Sequence, residues 1–170
     1  TQDLDATKLL DKLDEAGLVD ILRRFGEEPR ARRIARAILE GRPWFSTLAL
    51  AECVAESSGY RNSRTHPATR TFQALRMAVN DELGQLRRAL DSAVDMLGPG
   101  GRLCVITFHS LEDRIVKQAF RSLAGEGGPK DAYGHPLVAP RFRLINRRGI
   151  AGKKADAGHP RSRSARLRTL

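Results

Sequence analysis

The segment from Thr107 to Arg114 holds the densest group of side chains that could take part in chemistry. It lies where a short apolar run, rich in β-forming residues, gives way to a helical pattern. Ligands of open α/β sheets bind at the carboxyl ends of strands, and the first amides of a helix attract anions. His109 can donate a hydrogen bond or carry a proton near neutral pH, and Ser110 and Glu112 lie beside it. The alternative is structural: Ser110 and Asp113 cap the helix, and His109 packs or hydrogen-bonds locally.

A second group of polar side chains follows His66. Arg70, Gln73, Arg76 and Asn80 are three or four residues apart, so on a helix they share one face. These residue types bind base edges and phosphates in nucleic acids. The spacing predicts an RNA-binding face, although an ordinary solvated helix face has the same pattern.

The third group lies near the end of the sequence. After Pro160, serine, alanine and leucine separate four arginines, Arg161, Arg163, Arg166 and Arg168. This composition suits contacts to a phosphate backbone. A basic edge strand that resists aggregation has a similar composition, so both interpretations stand.

The charge of the 170-residue chain is uneven. Thirty Lys+Arg against 20 Asp+Glu give a formal net charge of +10. Residues 1–28 contain eight acidic and four basic side chains, whereas residues 139–170 contain one acidic and ten basic side chains. The asymmetry predicts a polyanionic partner, and the excess of arginine favours phosphate groups. A poorly ordered basic tail is the alternative.

Composition excludes several classes of protein. With 41% hydrophobic and 29% charged residues, the chain can bury a core and is not wholly disordered. It has no apolar stretch of the length that a membrane helix needs. We predict that Cys53 and Cys104 are buried thiols of a cytoplasmic protein, and no cluster with metal-ligand spacing is present.

Hydrophobic periodicity predicts the elements that position these groups. Leucines between Leu9 and Leu22 indicate short helices, and further helices are predicted over 30–40 and 46–56. An amphipathic pattern over 72–97 divides into two helices if Asn80 starts the second. A strand buried on both faces is predicted over 102–108, and two half-exposed strands over 141–145 and 164–168. The pattern describes a helical subdomain followed by the second half of an α/β sheet domain.

Common nucleotide-binding motifs do not occur in these residues. Gly98–Gly101 follows a helix and precedes a strand, which is the wrong order for a cofactor phosphate loop. The sequence also has no Walker lysine motif and no G-x-S-x-G elbow.

Two long stretches resemble the MraW/RsmH family of SAM-dependent methyltransferases. They are residues 66–83, HPATRTFQALRMAVNDEL, and residues 97–117, LGPGGRLCVITFHSLEDRIVK. The segment 25–38 is similar to the family's inserted helical domain, and residues 160–168 resemble its closing strand. The resemblance implies methylation of N4 of a cytosine in the decoding centre of small-subunit ribosomal RNA. It also implies that rRNA or the small ribosomal subunit is the partner.

The resemblance implies an α/β fold: the second half of an incomplete Rossmann-like methyltransferase sheet, with an inserted all-helical subdomain. Residues 1–65 would form the helical substrate-recognition subdomain, and residues 66–170 the C-terminal half of the methyltransferase domain. His109, Ser110 and Glu112 would then brace the pocket or orient the base, and Arg114 would join the RNA-binding residues.

The family's SAM-binding elements, a G-G-H loop and an acidic ribose-binding residue among them, do not occur in these 170 residues. We therefore assign no cofactor-binding residue and expect weak or no binding of S-adenosyl-L-methionine. We also expect negligible methyl transfer by this chain alone. A non-catalytic relative that binds RNA or the ribosome is the alternative, and an unpaired strand edge would favour a homodimer.

Overall fold

The computed structural model describes residues 5–59, 65–129, 131–135 and 137–170. The chain packs as two compact units, residues 1–82 and 83–170. The sequence also predicts a polar loop over 57–67, of which residues 60–64 lie outside the described residues. Within the described residues no helix is both long and apolar enough to cross a membrane.

The first unit is helical. Its elements are α1 (Ala6–Lys12), α2 (Glu15–Arg24), α3 (Ala31–Glu40), α4 (Thr47–Ser58) and α5 (Thr69–Val79). The helices predicted over 30–40 and 46–56 correspond to α3 and α4. Ser46 caps α4, because its hydroxyl accepts hydrogen bonds from the amides of Leu48 and Ala49.

Helical spacing of apolar residues builds the first core. Ala31, Ile34, Ala35 and Ile38 recur along one side of α3, and all four are fully buried. Ala74 and Leu75 of α5 join the same core. Because α5 packs here, the division between compact units lies after Glu82, later than the domain boundary predicted after residue 65.

The amphipathic pattern over 72–97 forms two helices, α5 and α6 (Glu82–Asp95). Asn80 and Asp81 separate the two helices, and Asp81 has a φ of 47°. Asn80 ends α5 rather than capping α6, since its amide donates to the carbonyl of Arg76. The break therefore lies where the sequence predicts it, with a different role for Asn80.

The second unit combines helices with a small sheet. After α6 come β1 (Cys104–Thr107), α7 (Ser110–Leu123), β2 (Ile150–Ala151), α8 (Gly152–Ala155), a 3-10 helix (Pro160–Ser164) and β3 (Arg166–Thr169). The strand order is β1-β3-β2, and both pairings are antiparallel. Cys104 lies opposite Thr169, and Thr107 lies opposite Arg166.

The second core covers one face of β1. Leu90 and Val94 of α6 pack with Ile115, Val116 and Phe120 of α7. Val105 packs against this cluster, whereas Ile106 and Phe108 on the opposite face are each 60% exposed. The prediction of a strand buried on both faces is therefore wrong for the described residues.

Two further predictions are wrong, one on a strand of this unit and one on the two cysteines. Residues 141–145 form no strand. The Ile145 amide donates to the Thr169 carbonyl at 3.1 Å, and the Thr169 amide donates to the Asn146 side chain at 3.2 Å. The short strand β2 pairs with β3 instead. The cysteines are not both buried: Cys104 is exposed and Cys53 is half-buried.

Candidate functional site

The carboxyl end of β1 and the start of α7 meet at His109. His109 is the N-cap of α7, and its Nδ1 accepts a hydrogen bond from the Leu111 amide at 3.3 Å. Glu112 in turn bonds to the backbone before the helix: its Oε2 accepts from the amides of Phe108 at 3.0 Å and His109 at 3.2 Å. The two side chains form a reciprocal capping box, which satisfies amides that the first helical turn leaves without a partner.

The cap differs from the one predicted. Ser110 is the first residue of the helix and is exposed, and Asp113 bonds elsewhere, so the prediction that these two residues cap α7 is wrong. Because Nδ1 of His109 is an acceptor here, the proton of the neutral ring lies on Nε2. His109 could then offer a donor at Nε2, and Ser110 a hydroxyl on the exposed side of the turn.

Asp113 ties the start of α7 to the last strand. Its carboxylate forms a bidentate pair with Arg168, with Nε–Oδ1 at 2.7 Å and Nη2–Oδ2 at 2.9 Å. The Arg168 side chain is only 6% exposed. Nε of Arg166 lies 3.7 Å from the same carboxylate, and its Nη1 donates to the Arg148 carbonyl. Residues two apart on a strand share a face, so Arg166 and Arg168 reach Asp113 together.

This ion pair changes the assignment of the arginines. Arg166, predicted to bind RNA, is half-buried and already contacts Asp113. Arg168 belongs to the stretch predicted to suit phosphate contacts but was not assigned as an RNA-binding residue, although the alternation Arg166-Leu167-Arg168 places it on the same face of a strand as Arg166. Its partner, 55 residues away, has no local signal in the sequence.

The predicted RNA-binding face on α5 is largely occupied by contacts within the first unit. Gln73 donates to the Phe25 carbonyl at 3.3 Å. Arg76 forms a bidentate pair with Glu82 at 2.8 and 3.1 Å, which balances its charge. Asn80 also contacts Glu82, at 3.4 Å. The fourth predicted side chain, Arg70, is exposed and contacts neither Glu82 nor Phe25.

The remaining predicted arginines lie on the surface of the second unit. Arg161 and Arg163 are exposed on the 3-10 helix, and Arg114 is exposed on the first turn of α7. The RNA-binding assignments of these residues stay predictions.

Comparison with known proteins identifies the family. A sequence model of the MraW methylase family matches residues 1–170. The ribosomal RNA small subunit methyltransferase H of Dehalococcoides mccartyi is 49% identical over 173 residues, covering 98% of this chain and 49% of the relative. Proteins of the same name from a Methylobacterium species and from Halorhodospira halophila are 51% and 48% identical to this chain. The chain covers 51% of the length of the first and 52% of the second.

The chain belongs to the MraW methylase family, which confirms the resemblance seen in the sequence. It spans about half the length of the curated relatives that it matches.

The described residues do not form a cradle for S-adenosylmethionine at the end of β1. The amides of residues 108 and 109 bond to Glu112, and the His109 side chain accepts from the first turn of α7. The glycine-rich segment Gly98–Gly101 lies before β1, and its Gly101 amide donates to the Gly98 carbonyl at 2.9 Å. The amides of Phe108, His109 and Gly101 are therefore engaged within the chain and do not hold a ligand in this arrangement.

Proposed function

We propose that this chain is part of a SAM-dependent methyltransferase that methylates N4 of a cytosine in the decoding centre of small-subunit rRNA. The identity of about half of all aligned residues to relatives named as rRNA small subunit methyltransferases carries this proposal. The formal net charge of +10 is consistent with a polyanionic RNA substrate.

The contribution of this chain is to hold and orient RNA. Exposed Arg70, Arg114, Arg161 and Arg163 are suited to phosphate contacts, since guanidinium groups bind phosphate oxygens bidentately. Arg76 and Arg166 would bind RNA only by giving up the carboxylates that they contact. Phosphate contacts fix the register of a nucleic acid without reading its sequence.

The turn at His109 is suited to orienting the base. The turn carries polar groups of the kind that pair with the edge of a cytosine, a hydroxyl on exposed Ser110 and the ring nitrogens of His109. Glu112 acts as a positioning residue, because its carboxylate holds the backbone of Phe108 and His109. Methylation of an exocyclic amine depends mainly on holding donor and acceptor in line, so a misplaced turn lowers the rate without removing a reacting group.

Replacing the matching half of the Dehalococcoides mccartyi relative by this chain tests the function. The chimera, incubated with labelled S-adenosylmethionine and small ribosomal subunits, is expected to place the label on N4 of one cytosine, as read by nucleoside mass spectrometry. The isolated 170-residue chain is expected to transfer no label and to show no heat of binding with S-adenosylmethionine.

Two results would overturn the proposal. One is a folded chimera that binds S-adenosylmethionine and small subunits but labels no cytosine. The other is label on a different atom. Strong RNA binding by an inactive chimera would instead support a non-catalytic RNA-binding relative. An Arg161→Gln/Arg163→Gln chimera is expected to lose affinity for the subunit, while its turnover at saturating subunit stays close to that of the parent chimera.

A further inference from the structure

A groove of about 610 Å³ runs along the second unit, away from the turn at His109. One wall is the segment Gly98–Gly101, and the other is the irregular segment 141–145. Arg102, Arg141 and Arg143 line it, and no acidic side chain does. Its net charge is therefore positive.

The glycine wall is an exposed turn with almost no side chains. Gly101 donates to the Gly98 carbonyl at 2.9 Å, Pro99 occupies the second position, and Gly100 has a φ of 77°. These are the features of a type II turn, which needs glycine at the third position. A Cβ built on Gly98 or Gly100 would meet no atom within 4 Å, so a bulky ligand can approach the backbone on this side.

Alternation along the opposite wall directs two arginines to the surface. Phe142 and Leu144 pack against the second core, and Arg141 and Arg143, which alternate with them, are exposed. The Arg141 guanidinium lies 5.4 Å from the centre of the Phe142 ring, which favours one orientation of its side chain.

The arginines of the groove differ from those described above in their partners. Arg76 and Arg168 each form a bidentate pair with a carboxylate. Among the described residues, by contrast, no ion pair involves Arg102, Arg141 or Arg143. Their charge is available to an external anion.

The groove lies at the amino end of β1, whereas His109 follows its carboxyl end. Six residues lie between Arg102 and His109, four of them in β1, and a fully extended chain of this length spans about 20 Å. A ligand in the groove therefore does not occupy the turn at His109.

We propose that this groove binds the phosphate backbone of the RNA substrate at a distance from the methylated base. The proposal rests on the proposed function, because it assumes an RNA substrate. Three guanidinium forks without carboxylate partners, beside an exposed glycine-rich backbone that leaves room for a bulky chain, suit the closely spaced phosphates of an RNA backbone.

Fluorescence anisotropy with a labelled small-subunit rRNA oligonucleotide tests the site, using the 170-residue chain over a range of salt concentrations. The Arg141→Gln/Arg143→Gln variant loses two phosphate contacts. For this variant, the slope of the logarithm of the binding constant against the logarithm of the salt concentration should become shallower by about 1.4. Its affinity at 0.1 M salt should fall by about 25-fold. The matched control Arg87→Gln/Arg88→Gln removes the same charge from exposed positions on α6 and should lose much less.

The outcomes separate the two proposals. If the chain binds RNA and both double variants lose equally, the groove is not a site, but the proposed function stands. If the chain binds neither the RNA nor inorganic tripolyphosphate, the RNA-holding role of this chain fails as well. If a poly-glutamate peptide binds as tightly as RNA and with the same dependence on Arg141 and Arg143, the site recognises acidic protein and the proposal is overturned.

Discussion

Replacing Asp113 by alanine removes the carboxylate that joins α7 to β3. The wild-type carboxylate bonds to Arg168 at 2.7 and 2.9 Å and lies 3.7 Å from Arg166. After the substitution, the Arg168 guanidinium stays buried, with only Arg166, a like charge, on the same strand face. The expected result is a large loss of stability in the second unit.

The structure sets the size of that loss. Removing one partner of a buried ion pair costs about 3–5 kcal/mol, because the other charge is left without a counter-ion. The Asp113 side chain is 22% exposed, so water can enter the vacated space. We therefore expect a loss near the lower end, about 3 kcal/mol.

Two matched variants test the reasoning. Arg168→Met removes the buried charge and keeps most of the side-chain volume, while Asp113 retains Arg166 and solvent, so the expected cost is about 1–2 kcal/mol. Asp20→Ala breaks the ion pair with Arg24. This pair is on the surface: the Arg24 side chain is 67% exposed and the Asp20 side chain 56%. Its cost should stay below about 0.5 kcal/mol.

Urea unfolding followed by circular dichroism measures these losses, and hydrogen exchange of the α7 amides assigns them to the second unit. Exchange is needed because a chain with two compact units does not guarantee a single two-state transition. The reasoning is refuted if Asp113→Ala costs no more than Asp20→Ala, or if Arg168→Met costs more than Asp113→Ala.

Three further predictions concern local features. His109→Ala should destabilise α7 by about 1 kcal/mol through loss of the N-cap, and His109→Asn should restore most of that loss in hydrogen exchange of the first helical turn; equal losses would contradict the capping role. Burial, together with the nearby carboxylates, raises the pKa of Cys53, so less of its thiol is ionised at a given pH. Iodoacetamide at pH 8 should therefore modify exposed Cys104 before Cys53, as peptide mass spectrometry can show, and the reverse order would contradict this. Gly100→Ala should cost about 1–2 kcal/mol because of its positive φ, whereas Gly98→Ala should be close to neutral; urea unfolding of the two variants compares them, and equal costs would contradict the turn assignment.

Local signals in the sequence were sufficient for helices α1 to α7, whereas α8 and the 3-10 helix were not predicted. The apolar spacing in α3 and α4 predicts both elements, because helical periodicity acts over three or four residues. The break near Asn80 follows from a local cluster of polar residues. The turn at Gly98–Gly101 has an equally local cause, the order of proline and glycine.

The candidate site was predicted less completely. His109, Ser110 and Glu112 do lie together at one turn, but the sequence did not show that His109 and Glu112 are the cap. On α5, spacing alone could not show that Gln73 reaches Phe25, 48 residues earlier. A periodic face has the same appearance whether its side chains meet solvent, RNA or another part of the chain.

The sequence by itself determined the family, the charge asymmetry and most of the helix positions, since these depend on residue order and short-range periodicity. Only the tertiary structure decided that β1 pairs antiparallel with β3, that one face of β1 is exposed, and that Asp113 binds Arg168. It also decided which arginines are paired with a carboxylate of the chain and which can contact a ligand. Each of these outcomes depends on contacts between residues far apart in the chain, and the energy of such contacts leaves no pattern in a local window of sequence.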